Sequence, residues 1–229
     1  MLSPEEIVAR LAEVRERIAQ AALRSQRSPD AVNLLVASKG QPAEAIRAAY
    51  EAGARCFGEN YVQEALAKRA NLADLTNIRW HMIGHLQTNK AKLAANSFEL
   101  IHSLDSEALA RALNRHRKDA PCAVLVEVNL GGEPTKSGVP PSQVEHLIGA
   151  VRTQVDVRGL MTIPPPAANA EQSRSFFAEL RELSGRLSRA CGLPMAELSM
   201  GMTDDFEVAI EEGATIVRIG RAILGERPS

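Results

Sequence analysis

Ala123-Val124-Leu125-Val126-Glu127-Val128-Asn129 is a β-branched run in which the two faces of a strand can be told apart. Successive strand side chains point to opposite sides. Val124, Val126 and Val128 therefore form one row, and Leu125, Glu127 and Asn129 the other. The valine row suits packing against helices. The second row mixes leucine with a carboxylate and an amide, which fits an enclosed interior in which Glu127 needs a partner. A strand covered on both sides belongs to a parallel sheet flanked by helices.

Seven further runs carry the same signal: Val32 to Ser38, Arg55 to Gly58, Ile78 to Ile83, Leu100 to His102, Val157 to Ile163, Glu197 to Met200 and Thr215 to Ile219. Counting Ala123 to Asn129 as the fifth, each of the first seven strands is followed by a segment with helical character. Strict alternation of eight strands predicts an α/β fold, a (β/α)8 TIM barrel forming a single domain over residues 1–229, with an open doubly wound sheet as the structural alternative. A leading helix is expected over Leu2 to Leu23, where Ile7, Leu11, Val14 and Ile18 have helical spacing, Ser3 is the N-cap and Pro4 opens the first turn. The Pro- and Gly-rich connections Gly131 to Ser142 and Pro164 to Asn169 follow the fifth and sixth strands and belong at the mouth where such barrels build their sites.

Composition excludes several functions. A net charge of -1 with 24% charged residues offers no general basic surface, so no nucleic-acid partner is expected. Cys56, Cys122 and Cys191 are odd in number and far apart, which points to neither a disulfide framework nor a zinc site. No run reaches membrane-spanning length, and the charged N-terminal stretch lacks the apolar centre of a secretory signal, so a cytoplasmic protein is expected. His81 and His85 have no spaced partner, and no metal site is assigned. The exposed helices show no self-complementary apolar stripe, which favours a monomer.

The same alternation places polar residues inside the barrel. Arg218 shares the inner face of the eighth strand with Ile216, where it meets either an internal carboxylate such as Glu127 or a ligand. Lys39 follows Leu35 and Ala37 on the inner face of the first strand and projects into the mouth. A neighbouring cation such as Arg218 and a pocket of low polarity would favour the neutral amine that condenses with carbonyls. His81 faces either the mouth or the core. Ser199-Met200-Gly201-Met202-Thr203, with Thr203 as the expected helix cap, and Gly220-Arg221 follow strands seven and eight, a favoured phosphate site. Asp204 and Asp205 argue against that reading, because they already satisfy the helix dipole.

Six stretches in order resemble the pyridoxal phosphate homeostasis proteins: Leu35-Val36-Ala37-Ser38-Lys39, Phe57 to Glu64, Trp80 to Lys90, Gly159-Leu160-Met161-Thr162-Ile163, Leu198 to Asp205, and Val217-Arg218-Ile219-Gly220-Arg221. The resemblance spans nearly the whole chain and implies the barrel of the alanine racemase N-terminal domain. It implies that Lys39 holds pyridoxal phosphate (PLP) as an internal aldimine and that Arg218 approaches the pyridine nitrogen. It also implies that Ser199, Thr203, Gly220 and Arg221 surround the phosphate, with Met200 and Gly201 in the same cofactor-binding stretch, and that Asn60 and His81 line the ring pocket. Two positions depart from the family pattern: Gly40 stands where many relatives have threonine, and Arg221 where some have a phosphate-binding threonine.

The resemblance implies a PLP-binding protein of vitamin B6 homeostasis that supplies apo-enzymes and has no catalytic residues of its own. An arginine at the pyridine nitrogen disfavours ring protonation and weakens the electron sink. The chain ends ten residues after Ile219, so no second domain of the racemase type is expected. Two alternatives remain at this level: a PLP-dependent enzyme with weak racemase, aminotransferase or lyase activity, and a cofactor-free barrel enzyme using Lys39 on a sugar carbonyl.

Overall fold

Short apolar strands separated by helices leave each strand's hydrogen-bonding edges to its sequence neighbours, and in this chain the sheet closes on itself. A computed structural model describes residues 2–227. Its strands are β1 (Asn33–Ala37), β2 (Cys56–Glu59), β3 (Arg79–Met82), β4 (Leu100–Leu104), β5 (Cys122–Glu127), β6 (Val155–Met161), β7 (Glu197–Ser199) and β8 (Ile216–Ile219). They pair in parallel in chain order, and β8 returns to β1 with Asn33 opposite Ile216 and Val36 opposite Ile219. That pairing excludes the open sheet. The helices are α1 (Pro4–Arg24), α2 (Ala43–Glu51), α3 (Val62–Asn71), α4 (Ala91–Ala94), α5 (Glu107–His116), α6 (Val144–Val151), α7 (Arg174–Cys191), α8 (Phe206–Glu211) and α9 (Arg221–Leu224).

All eight expected strands form, with shifts at their ends. β4 runs two residues past His102, and β6 starts two residues before Val157 because exposed Asp156 and Arg158 alternate with buried Val155 and Val157. The leading helix begins with a capping box: Ser3 Oγ accepts from the Glu6 N–H at 3.2 Å, while Glu6 Oε2 accepts from the Ser3 N–H at 2.7 Å. Its buried Ile7, Leu11, Val14 and Ile18 turn it onto the barrel beside α2, α8 and α9.

Two apolar layers result. Val124, Val126 and Val128 lie in the large layer between strands and helices, as their alternation predicts. Leu35, Cys56, Leu100, Ala123, Leu125, Met161 and Ile216 fill the barrel interior. Burial pushes the Cys56 thiol up to about 12 and that of Cys122 to about 11, so both stay protonated packing groups. Among the described residues no helix is long and apolar enough to cross a membrane.

The tightest backbone approach at a glycine joins β6 to β7. A Cβ at Gly159 of β6 would fall 1.8 Å from the Glu197 carbonyl oxygen of β7. Gly159→Ala should therefore lower the unfolding free energy by at least about 1–3 kcal/mol, the usual cost of overpacking. Urea unfolding measures it, and an unchanged midpoint would contradict the tight β6–β7 contact.

Candidate functional site

β1 ends at Ala37 and the chain turns sharply through Ser38-Lys39-Gly40-Gln41, closed by a hydrogen bond from the Gln41 N–H to the Ser38 carbonyl at 3.0 Å. Gly40 has φ +69°, a left-handed conformation that a β-branched residue adopts only with strain. The turn releases Lys39 into a mouth cavity of about 290 Å³, whose wall brings together Lys39, Asn60, Thr203, Arg218, Gly220 and Arg221. Burial first, and then the Arg227 and Arg218 cations, hold the Lys39 amine below its ordinary range, with Glu64 opposing them.

Arg218 is buried, 4% exposed, and among the described residues no carboxylate hydrogen-bonds to it. Its Nη1 donates to the Ser199 carbonyl at 2.8 Å and to Ser199 Oγ at 2.7 Å, and its Nη2 donates to the Thr162 carbonyl at 3.0 Å. A guanidinium has five N–H donors, so Nε and one Nη2 hydrogen remain for whatever enters the cavity. Desolvation lowers Arg218 to about 10, which leaves it charged at neutral pH. The alternative ion pair with Glu127 does not form among the described residues: Glu127 Oε2 is buried without a hydrogen-bond partner.

Four of the expected residues lie behind the cavity wall. Ser199 is fully buried, and its Oγ is shared between Arg218 and Nδ1 of His102 at 2.8 Å. His81 faces the core, with Nδ1 3.0 Å from His102 Nε2. Burial brings His81 down to about 3 and pushes His102 well below its usual range, so both rings are neutral. Met200 belongs to the outer apolar layer, and Gly201 is buried against α8. Ser199, His81, Met200 and Gly201 are thus not among the residues that line this cavity. Ser199 and His81 instead form a polar chain that seats Arg218.

Thr203 is not the helix cap. Asp205 occupies that position and α8 starts at Phe206, while Thr203 lines the cavity. Asp205 accepts from the Met202 N–H at 2.7 Å, and Asp204 pairs with Arg221 at 2.5 Å and 2.7 Å. An anion approaching Arg221 therefore meets a cation already matched by a carboxylate. Sequence reasoning did not single out Gln41, Ile83, Ile163 and Arg227, which also line the cavity, as do Met202 and Asp204 of the loop after β7. Ile83 and Ile163 stood at the ends of expected strands, a usable signal, as was the shared face of His102 and Leu100. Arg227 lies past the last strand and carried none.

The donor set has a definite chemical fit: an amine for a carbonyl, two free guanidinium hydrogens for a neutral acceptor, and a hydroxyl with a rim arginine for an anionic group. Asn60 Oδ1, buried and without a partner, adds an unused acceptor. A ligand carrying an aldehyde, a pyridine nitrogen and a phosphate matches these groups.

Glu127 yields a test of the interior electrostatics. Burial first, and then Asp105, raise its carboxyl from 4.5 to about 7, with Arg218 opposing. Its folded form thus holds the proton more tightly than the unfolded chain, and its contribution to stability is full below pH 4.5 and lost as the pH rises to about 7. Glu127→Gln should make the ligand-free protein more stable than wild type by about 3 kcal/mol at pH 8, with the difference fading in acid. Denaturant unfolding across this range checks it, and parallel pH profiles for the two proteins would contradict the burial of an unpaired carboxyl.

Residues 9–228 match the family described as the alanine racemase N-terminal domain. A pyridoxal phosphate homeostasis protein of Aquifex aeolicus (strain VF5) is 48% identical over 222 residues, covering 95% of this chain and 97% of that protein. The structure of PipY from Synechococcus elongatus PCC7942 with PLP bound has a TM-score of 0.80 at 41% identity, covering 93% of this chain and 100% of that one. Alanine racemase from Corynebacterium glutamicum shares the fold, with a TM-score of 0.69 at 18% identity over 94% of this chain and 61% of its own. Relatives alike over almost their entire length, on a barrel whose mouth gathers Lys39 and Arg218, place the chain in the pyridoxal phosphate homeostasis protein family.

Proposed function

We propose that this protein holds PLP as a Schiff base on Lys39 and takes part in intracellular PLP homeostasis, keeping the aldehyde bound and supplying it to apo-enzymes in the cytoplasm without strong catalysis of its own. The observation that carries the reading is the state of Lys39. Its amine opens into the mouth cavity and is held below the ordinary lysine range by burial and by Arg227 and Arg218, which raises the fraction of neutral nucleophile at physiological pH. The cavity, about 290 Å³, lies at the lower end of small-ligand pockets. The relative's name and the PLP held by PipY support PLP as the ligand.

Bound PLP supplies an aldehyde that captures amines and, when its ring nitrogen is protonated, an electron sink for carbanions. Arg218 serves the first property and weakens the second. Its free N–H groups suit an unprotonated ring nitrogen, and among the described residues no carboxylate hydrogen-bonds to it to offset the positive charge. Ser199 and Thr162 hold the guanidinium in place while the neutral His102 supports Ser199. Thr203 and the Gly220-Arg221 segment offer a hydroxyl, backbone and a cation to the phosphate. Arg221 must loosen its contact with Asp204 to take part.

Added PLP should give wild type an absorbance band that Lys39→Ala lacks; a band of equal strength in the variant overturns the assignment of Lys39. Wild type with no band at all would instead favour a cofactor-free carbonyl enzyme. Arg218→Glu, which reverses the charge beside the ring, should favour the protonated ring and move the band. An unmoved band with retained binding contradicts the Arg218 contact. Turnover of L- or D-amino acids well above that of free PLP would overturn the non-catalytic part of the proposal.

A further inference from the structure

The turn that carries Lys39 is tied on both sides to a buried ionic cluster for which neither cofactor contact nor barrel closure accounts. Lys68 of α3 is 7% exposed, and its Nζ donates to Glu59 Oε1 at 2.7 Å, to Glu64 Oε1 at 2.6 Å and to the Ser38 carbonyl at 2.6 Å. Glu59, at the end of β2, is fully buried and accepts from Ser38 Oγ at 2.6 Å. Glu64 accepts from the Gly40 N–H at 2.6 Å. The residues before and after Lys39 are thus both held by one lysine and two carboxylates, which do not line the cavity themselves.

Burying such a cluster is costly, and a purely apolar packing of similar volume would often be as stable. Glu59 shows the cost: its Oε2 has no partner, and burial raises its pKa against the opposing hydrogen bonds from Lys68 and Ser38. Lys39 itself has a long flexible side chain, so the direction in which it leaves the barrel wall depends on how firmly its backbone turn is fixed. We infer that Lys68, Glu59 and Glu64 are positioning residues for Lys39: they clamp Ser38 and Gly40 so that the amine emerges at one place in the mouth, and Glu64 adds a negative charge that tempers the surrounding cations. The inference rests on the reading of Lys39 as the PLP-bearing residue.

The charged groups acting on Lys39 come from three directions: Arg218 from β8, Arg227 from the segment after α9, and Glu64 from α3. Removing the Glu64 charge leaves the two arginines unopposed, which shifts the amine toward its neutral form at lower pH.

The test follows the rate of band formation after PLP is added to full-length wild type, Glu64→Gln and the paired variant Lys68→Met with Glu59→Gln, from about pH 6 to about pH 10. Glu64→Gln keeps the volume and the acceptor for Gly40, so its pH midpoint should move to lower pH. The paired variant removes the buried cation together with the Glu59 charge it faces and should form the band at least about tenfold more slowly, as expected when a reacting group loses its fixed position. Circular dichroism establishes that each variant is folded. A wild-type rate in the folded paired variant overturns the clamp; if that variant does not fold, an unmoved midpoint in Glu64→Gln overturns it. Lys68→Arg, which restores the cation, should recover part of the rate, and no recovery speaks against the clamp. Failure of wild type to form any band counts against Lys39 as the PLP-bearing residue and is distinguishable from all of these.

Discussion

A guanidinium enclosed by a barrel cannot shed its proton and must find acceptors there. In this chain Arg218 finds them in two carbonyls and a hydroxyl rather than in a carboxylate. Much of the site follows from that choice. The bonds to Ser199 and Thr162 join the C-terminal ends of β8, β7 and β6 at the mouth. The unneutralised charge lowers Lys39, helps to keep His102 neutral and leaves two donors for a ligand. A carboxylate partner would have quenched all three effects, yet the inward Glu127 remains without one.

The barrel was legible because its information is local. Period-two alternation in Ala123 to Asn129 separated the inner from the outer row, and the same rule put Leu35, Lys39, Ile216 and Arg218 on the cavity side. The strand boundaries at β4 and β6 were less legible, because charged Asp156 and Arg158 hide the first turns of β6 on its exposed face. What the sequence could not supply was depth. Ser199 and His81 sit below the wall, and only the three-dimensional path from His81 through His102 and Ser199 to Arg218 reveals their use. Thr203 was misplaced for a simpler reason: the loop runs two residues further before α8 begins, so the cap falls at Asp205.

The buried cluster around Lys68 was invisible for the opposite cause. A lysine at the inward face of α3 reads as a solvated helix residue, and nothing local predicts that it reaches the carbonyl of Ser38, 30 positions earlier. The same holds for Arg221. Its partner Asp204 lies 17 positions away on another loop, so the sequence showed a free cation where the fold provides a matched pair. Tertiary contacts of this kind decide whether a charge is available for a ligand or already engaged.

The account's central claim is that one residue, Lys39, holds PLP covalently. Borohydride reduction of the PLP-loaded protein followed by peptide mapping by mass spectrometry tests it most directly. The account predicts a reduced phosphopyridoxyl label on the peptide containing Lys39; a label on a peptide carrying a different lysine would contradict it.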